Sequence, residues 1–180
     1  MPEGPSIVIL KEAVSAFKGK KVTACSGNAK IDFSWVKGQT ILDFKTWGKH
    51  FLICFKDRTI RIHLLLFGTY RVNEKRESVP RLHLQFGKKE INFYACSVQI
   101  LDGDLDTYYD WSRDVLSDTW SPGKARASLK KHPDMLVCDA LMDQPLLLVW
   151  EILLRMKCCF AFMYIRKVRW VSCPPNNYPH

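Results

Sequence analysis

No C-x-x-C pair occurs anywhere in this 180-residue chain, although it has seven cysteines. That spacing is the common signature of a zinc site, so no metal centre is expected. The cysteines are odd in number, and two of them, Cys158 and Cys159, are adjacent. They show none of the paired rhythm of a disulfide framework, which points to a reducing cytoplasm. Long apolar stretches are also scarce near the start. "SIVIL" is too short for the core of a secretory signal, and no small-residue cleavage site follows it. Internal repeats and low-complexity runs are missing too, which argues against solenoids and linkers. Acidic residues are the minority, 18 against 27 basic, for a net charge of +9. With a pI of about 9.3, a polyanion is a natural partner, although many basic proteins bind no nucleic acid. Hydrophobic residues at 47% and charged residues at 25% describe a globular chain of one or two small domains.

What is present begins with "MPEGPSIVIL". One reading is a helix start. Pro suits a first turn and Glu a helix N-terminus. Ile7, Leu10, Val14 and Phe17 fall on one face, and Gly19 stands where a C-terminal cap belongs. The other reading is chemical. Removal of Met1 would leave Pro2 as a free secondary amine. Such an amine attacks an aldehyde-level carbon to give an iminium, which keeps its positive charge because it has no proton to lose. Glu3, one residue away, is placed to move protons. The stretch alone leaves both readings open.

After this helix the texture is that of strands: "KVTACSG", "QTILDFKTWG", "KHFLICF", "TIRIHLLLFG", "TYRVN", "RLHLQFG" and "EINFYACSVQIL". "KDR" and "GKKE" read as hairpin turns. A β-sandwich or barrel running to about Leu101 is expected. From Asp102 the pattern turns helical, with "DLDTYYDWSRDVLSDTW" and then "SPGKARASLKKHPDMLVCDALMDQ". Ser121 and Pro122 mark one helix start and Pro133 another. The fold class is therefore α+β: a leading helix, an N-terminal β-sandwich or barrel, and a small helical domain.

Five separated pieces, "MPEGP", "TWGKHFLI", "IHLLLFGTYRV", "DVLSDTW" and "LVCDALMDQ", occur in this order. Together they make residues 1 to about 144 resemble the formamidopyrimidine-DNA glycosylase and endonuclease VIII family, with "MPEGP" leaning to the endonuclease VIII branch. The resemblance implies a catalytic β-sandwich domain over residues 1–112 and a helical domain over 113–180, family-like to about 144. It implies a base-excision-repair glycosylase with abasic-site lyase activity. Pro2 would be the nucleophile at C1′ of the damaged nucleotide, and Glu3 the general acid/base. Lys49 would hold a phosphate beside the lesion, where Gly48 allows close approach; standing alone, Lys49 would be read as a solvated turn lysine. Leu66 aligns with the family's wedge, and Leu65 and Phe67 with its neighbours in the intercalating loop. The bland alternative for "HLLLFG" is a fully buried strand. Damaged double-stranded DNA is the implied partner, bound by a monomer in the bacterial cytoplasm at the nucleoid, with no cofactor and no membrane. One departure is Ser6, which stands where family members commonly carry a second glutamate.

Residues 145–180 depart from the family entirely and carry neither its helix–two-turn–helix sequence nor its zinc finger. The run from Leu146 to Ile165 has the look of a membrane span, but Glu151, Arg155 and Lys157 inside it argue against one. Read one base over, from the third base of the Pro145 codon, the tail can spell "IAAGVGNIVKNEVLFRIHVHPESKVGEL", which resembles the missing motif. Several residues of that string are forced whatever codons are chosen, among them a glutamate from Met156–Lys157 and a leucine from Cys158–Cys159. A one-base shift near Gln144 is the reading. Its cost would be the phosphate grip of the lost elements, so a catalytically inactive DNA-binding remnant is the alternative function.

Overall fold

The computed structural model describes residues 2–114, 116–121, 123, 124, 127 and 130–134. The chain divides into two compact units, Met1–Tyr109 and Asp110–His180.

The first unit opens with helix α1 (Gly4–Val14), continued by a 3-10 turn at Ser15–Phe17. The face anticipated from sequence is the buried one: Ile7, Leu10 and Val14 are fully buried and Phe17 nearly so. Each such side chain contributes about 2 kcal/mol by leaving water. Gly19 takes φ 76° after the turn and ends the segment.

Eight strands follow: β1 (Ala24–Ser26), β2 (Asp43–Trp47), β3 (His50–Cys54), β4 (Arg58–His63), β5 (Thr69–Val72), β6 (Leu82–Phe86), β7 (Lys89–Tyr94) and β8 (Ser97–Asp102). They form two four-stranded antiparallel sheets, ordered β2-β3-β4-β8 and β1-β6-β7-β5. Alternation decides which residues face inward. In β6, Leu82, Leu84 and Phe86 are buried while His83 and Gln85 are partly exposed. Phe51 of one sheet and Phe93 of the other meet with ring centroids 5.9 Å apart. Together with α1, these side chains make one core. The architecture is the expected sandwich with a leading helix, and both anticipated hairpin turns are present, at residues 55–58 and 87–88.

Three expectations need correction. "TIRIHLLLFG" is not one strand: β4 stops at His63, and the next five residues cross from one sheet to the other. "EINFYACSVQIL" is two strands in different sheets, broken at Ala95, which adopts φ 49°. The two crossings lie side by side, because Thr69 pairs with Tyr94 and His63 with Ser97. Third, residues 104–113 form no α-helix. They make two 3-10 turns, Leu105–Thr107 and Trp111–Arg113. The Asp104 carboxylate accepts from Asp106 N–H at 3.0 Å and the Asp110 carboxylate from Ser112 N–H at 3.1 Å. Aspartates at these positions capture backbone donors two residues on, which closes short turns in place of a continuous helix. Further on, Gly123, Lys124, Ala127 and Lys130 are helical, after the anticipated start at Ser121. The helix expected from Pro133 and the altered tail lie outside the described residues.

Candidate active site

Glu3 is the N-cap of α1, with extended backbone at φ −118° and ψ 177°. A capping acid commonly turns its carboxylate back onto the first turn. Here Ser6 serves the cap. Its hydroxyl accepts from Glu3 N–H at 2.8 Å and donates to Glu3 C=O at 2.7 Å. The Glu3 side chain closes the capping box from the other side, towards the Ser6 backbone N–H, and its carboxylate also meets Lys49, with Nζ 2.9 Å from Oε1 and 2.9 Å from Oε2. Glu3 is 8% exposed. A buried carboxylate needs such a partner, since an unpaired charge there costs several kcal/mol. Ser6 is thus not merely a missing charge: it holds the backbone of the residue whose carboxylate meets the lysine.

Lys49 comes from the far side of the sequence. Trp47 pairs with His50 across β2 and β3, leaving Gly48 and Lys49 as a two-residue turn. Gly48 has φ 56°, the left-handed region that tight hairpin turns need and glycine supplies. The hairpin therefore holds Lys49 at its tip, against the start of α1.

Pro2 is half-buried and lines a cavity of about 560 Å³. Ser6 and Ala13 contribute one wall, along α1. Leu64, Gly68 and residues of β5, including Arg71, contribute another. Pro2 thus faces an open, partly apolar hollow, and the next residue in the chain carries the carboxylate that meets Lys49.

The β4–β5 crossing carries the three apolar residues singled out in the sequence. Leu64 is buried, while Leu65, Leu66 and Phe67 are 47%, 54% and 79% exposed. The fully buried strand is therefore excluded. Leu65 adopts φ 52°. A Cβ on Gly68 would lie 1.7 Å from the Leu64 carbonyl oxygen, so only glycine closes this crossing. The anchors of the loop, Leu64 and Gly68, both line the cavity beside Pro2.

Three residues near this site escaped the sequence reading: His50, His63 and Tyr109. His50 and His63 face each other across β3 and β4, with rings 5.6 Å apart. Burial lowers the His63 pKa, and the charges of Lys49 and Arg61 lower it further, while Glu3 opposes them. Burial, with Arg61 and His63, pushes His50 from 6.5 down to about 4. Both imidazoles are neutral at physiological pH. The usable signal was the alternation in "IRIH": with Ile60 and Ile62 inside, Arg61 and His63 must share the outer face. Tyr109 gave no such signal, because it meets His50 from 59 residues away. Among the described residues, no group of three His, Cys, Asp or Glu side chains is arranged to hold a metal. No helix among them is long and apolar enough to cross a membrane.

Residues 1–96 match the formamidopyrimidine-DNA glycosylase N-terminal domain family. Over 154 residues the chain is 26% identical to a DNA-(apurinic or apyrimidinic site) lyase, Nei2, of Mycolicibacterium smegmatis, covering 80% of this chain and 60% of that protein. Over 138 residues it is 29% identical to endonuclease 8-like 3 of Mus musculus, covering 69% of this chain and 23% of that protein. The chain thus spans well under two thirds of the length of either relative. Among solved structures, a viral DNA glycosylase superposes with a TM-score of 0.72 at 15% identity, covering 89% of this chain and 70% of that one. A Lactococcus lactis formamidopyrimidine-DNA glycosylase bound to DNA containing an abasic site gives 0.67 at 16% identity, covering 83% and 65%. At such identities the likeness is one of fold.

Proposed function

The chain belongs to the formamidopyrimidine-DNA glycosylase family, and on that premise we propose that it is a DNA repair glycosylase with abasic-site lyase activity, acting on oxidised bases in duplex DNA. The observation that supports the reading is the buried Glu3–Lys49 pair next in the chain to a cavity-lining Pro2. Pro2 lines a cavity, and the adjacent, buried Glu3 carboxylate lies 2.9 Å from the Lys49 ammonium. These are the three groups a Schiff-base glycosylase needs: a nucleophilic amine, a proton donor and acceptor, and a cation for phosphate.

After removal of Met1, the Pro2 nitrogen attacks C1′ of the damaged nucleotide. The glycosidic bond breaks, its electrons leave with the base, and the base takes up a proton. Glu3 takes the proton that the Pro2 nitrogen loses on attack and delivers it to the sugar ring oxygen as the ring opens, giving an iminium between Pro2 and C1′. The iminium then draws electrons as a proton leaves C2′ and the 3′ phosphate departs. A flanking phosphate that reached Lys49 would compete with Glu3 for its ammonium. Transfer of Lys49 to the phosphate would release the carboxylate for proton transfer. Neutral His63 adds a hydrogen-bonding group beside this pair. The exposed apolar side chains of Leu65, Leu66 and Phe67 fit the task of filling the space left by an extruded base, which costs a few kcal/mol of stacking. The protein is proposed to act as a cytoplasmic monomer.

The test is strand cleavage of an abasic-site duplex by the processed chain, compared with Pro2→Gly. Cleavage by the wild type and a loss of two orders of magnitude or more, roughly, in the variant is expected. Binding without cleavage by the wild type would favour the inactive DNA-binding remnant.

A further inference from the structure

Lys49 stands on a two-residue turn whose incoming strand, β2, is the edge of its sheet. Something must hold this tip for its ammonium to meet Glu3 squarely. The closing pair of the turn is Trp47 and His50, and both rings pack on a third, Tyr109. Trp47 and Tyr109 centroids lie 5.0 Å apart, His50 and Tyr109 5.8 Å, and Trp47 and His50 5.8 Å. The Tyr109 hydroxyl lies 3.2 Å from His50 Nδ1. Tyr109 is only 4% exposed, although it is the last residue of the first unit. Ring pairs of this kind attract beyond the area they bury.

We infer that Tyr109 is a positioning residue for Lys49: its ring clamps the Trp47–His50 pair, and the clamp fixes the ammonium against Glu3. Tyr109 acts through the turn. The inference rests on the reading of Lys49 as a working residue, but the position of Lys49 can be measured without DNA.

The experiment is competitive acylation of the full chain with an N-hydroxysuccinimide ester, read by mass spectrometry. Lys88, exposed in the β6–β7 turn of the other sheet, is the internal standard. In Tyr109→Leu, which keeps apolar volume but removes the ring, the Lys49 rate should rise about tenfold relative to Lys88. Tyr109→Phe keeps the ring and should stay within about twofold of wild type. If Tyr109→Leu fails to fold, Trp47→Leu removes the clamp from its other side and should give the same rise. An unchanged Lys49-to-Lys88 ratio in the folded variant overturns the proposal. So does a common rise at all lysines, which would reduce Tyr109 to a fold residue.

A second arm uses adduct formation on abasic-site duplex. Tyr109→Leu should slow it about tenfold in the wild-type background and under about twofold in Lys49→Ala, because the clamp has nothing left to position. Equal slowing in both backgrounds overturns the proposal. If the wild-type chain forms no adduct, the glycosylase reading fails, and the labelling arm still decides the role of Tyr109.

Discussion

Two neighbouring turns of the first unit solve opposite problems. The Trp47–His50 turn carries a charge, and everything around it fixes that charge: Glu3 accepts the ammonium with both oxygens, and aromatic rings pack on the flanking pair. The Leu64–Gly68 crossing carries no charge and leaves its three central side chains in solvent, Phe67 at 79% exposure. Folding alone explains the first turn poorly, since a buried ion pair is seldom a net gain over apolar packing. It explains the second even less, since exposed leucine and phenylalanine forgo the burial that drives folding. Each turn is locally wrong for stability in a different way, and the two lie on adjacent strands, where His50 pairs with His63. Sites selected for work look like this.

The comparison breaks first at Glu3. Glu3→Gln removes the carboxylate and leaves Lys49 without its counter-charge. Base excision should fall by about 100-fold, the scale of a lost general acid, while cleavage of a preformed abasic site should suffer less. Equal loss on both substrates would move the proton-transfer role elsewhere. A smaller effect, on stability, is expected from Gly68→Ala. Its Cβ would meet the Leu64 carbonyl at 1.7 Å, so the crossing must shift. A cost of about 2–3 kcal/mol in denaturant unfolding follows, and an unperturbed midpoint would mean the crossing is looser than described. Leu66→Ala should be milder still for the fold, within about 0.5 kcal/mol, yet it should reduce excision from paired lesions more than from single-stranded ones. A buried leucine would instead cost about 2–5 kcal/mol.

A separate expected effect is on pH dependence. The folded pKa of His50 lies near 4, below its ordinary 6.5, and that of His63 is also lowered. The unfolded chain therefore binds more protons in this window. Stability should be complete above about 6.5 and decline as the pH falls towards 4. Burial is the first cause of both shifts. His50→Gln should flatten the acid limb of a thermal unfolding series, and a limb of unchanged slope would assign it to other groups.

Much of this was legible in the sequence where local pattern decides. The buried face of α1, the alternation of β6 and the hairpin turns all follow from periods of 3.6 and 2 and from turn chemistry. The ordered motifs led to Pro2, Glu3 and Lys49 before their contact was known. Long-range meetings were not legible. Nothing in "YYDW" says that Tyr109 reaches the Lys49 hairpin, and nothing in "MPEGPS" says that the Glu3 carboxylate meets a lysine 46 residues away. The misread helix over residues 104–113 had a local cause, since aspartates spaced for turns look acidic and helical when only the apolar period is counted. Ala95 hid a change of sheet because alanine rarely adopts a positive φ.

The central claim is that the reacting amine is Pro2. Borohydride reduction of the processed chain on abasic-site duplex, followed by proteolysis and mass mapping of the nucleotide-bearing peptide, tests it directly. The account predicts the adduct on the N-terminal peptide at Pro2, and its loss when Met1 is retained. An adduct mapped to Lys49, or adducts formed equally well with Met1 in place, would contradict it.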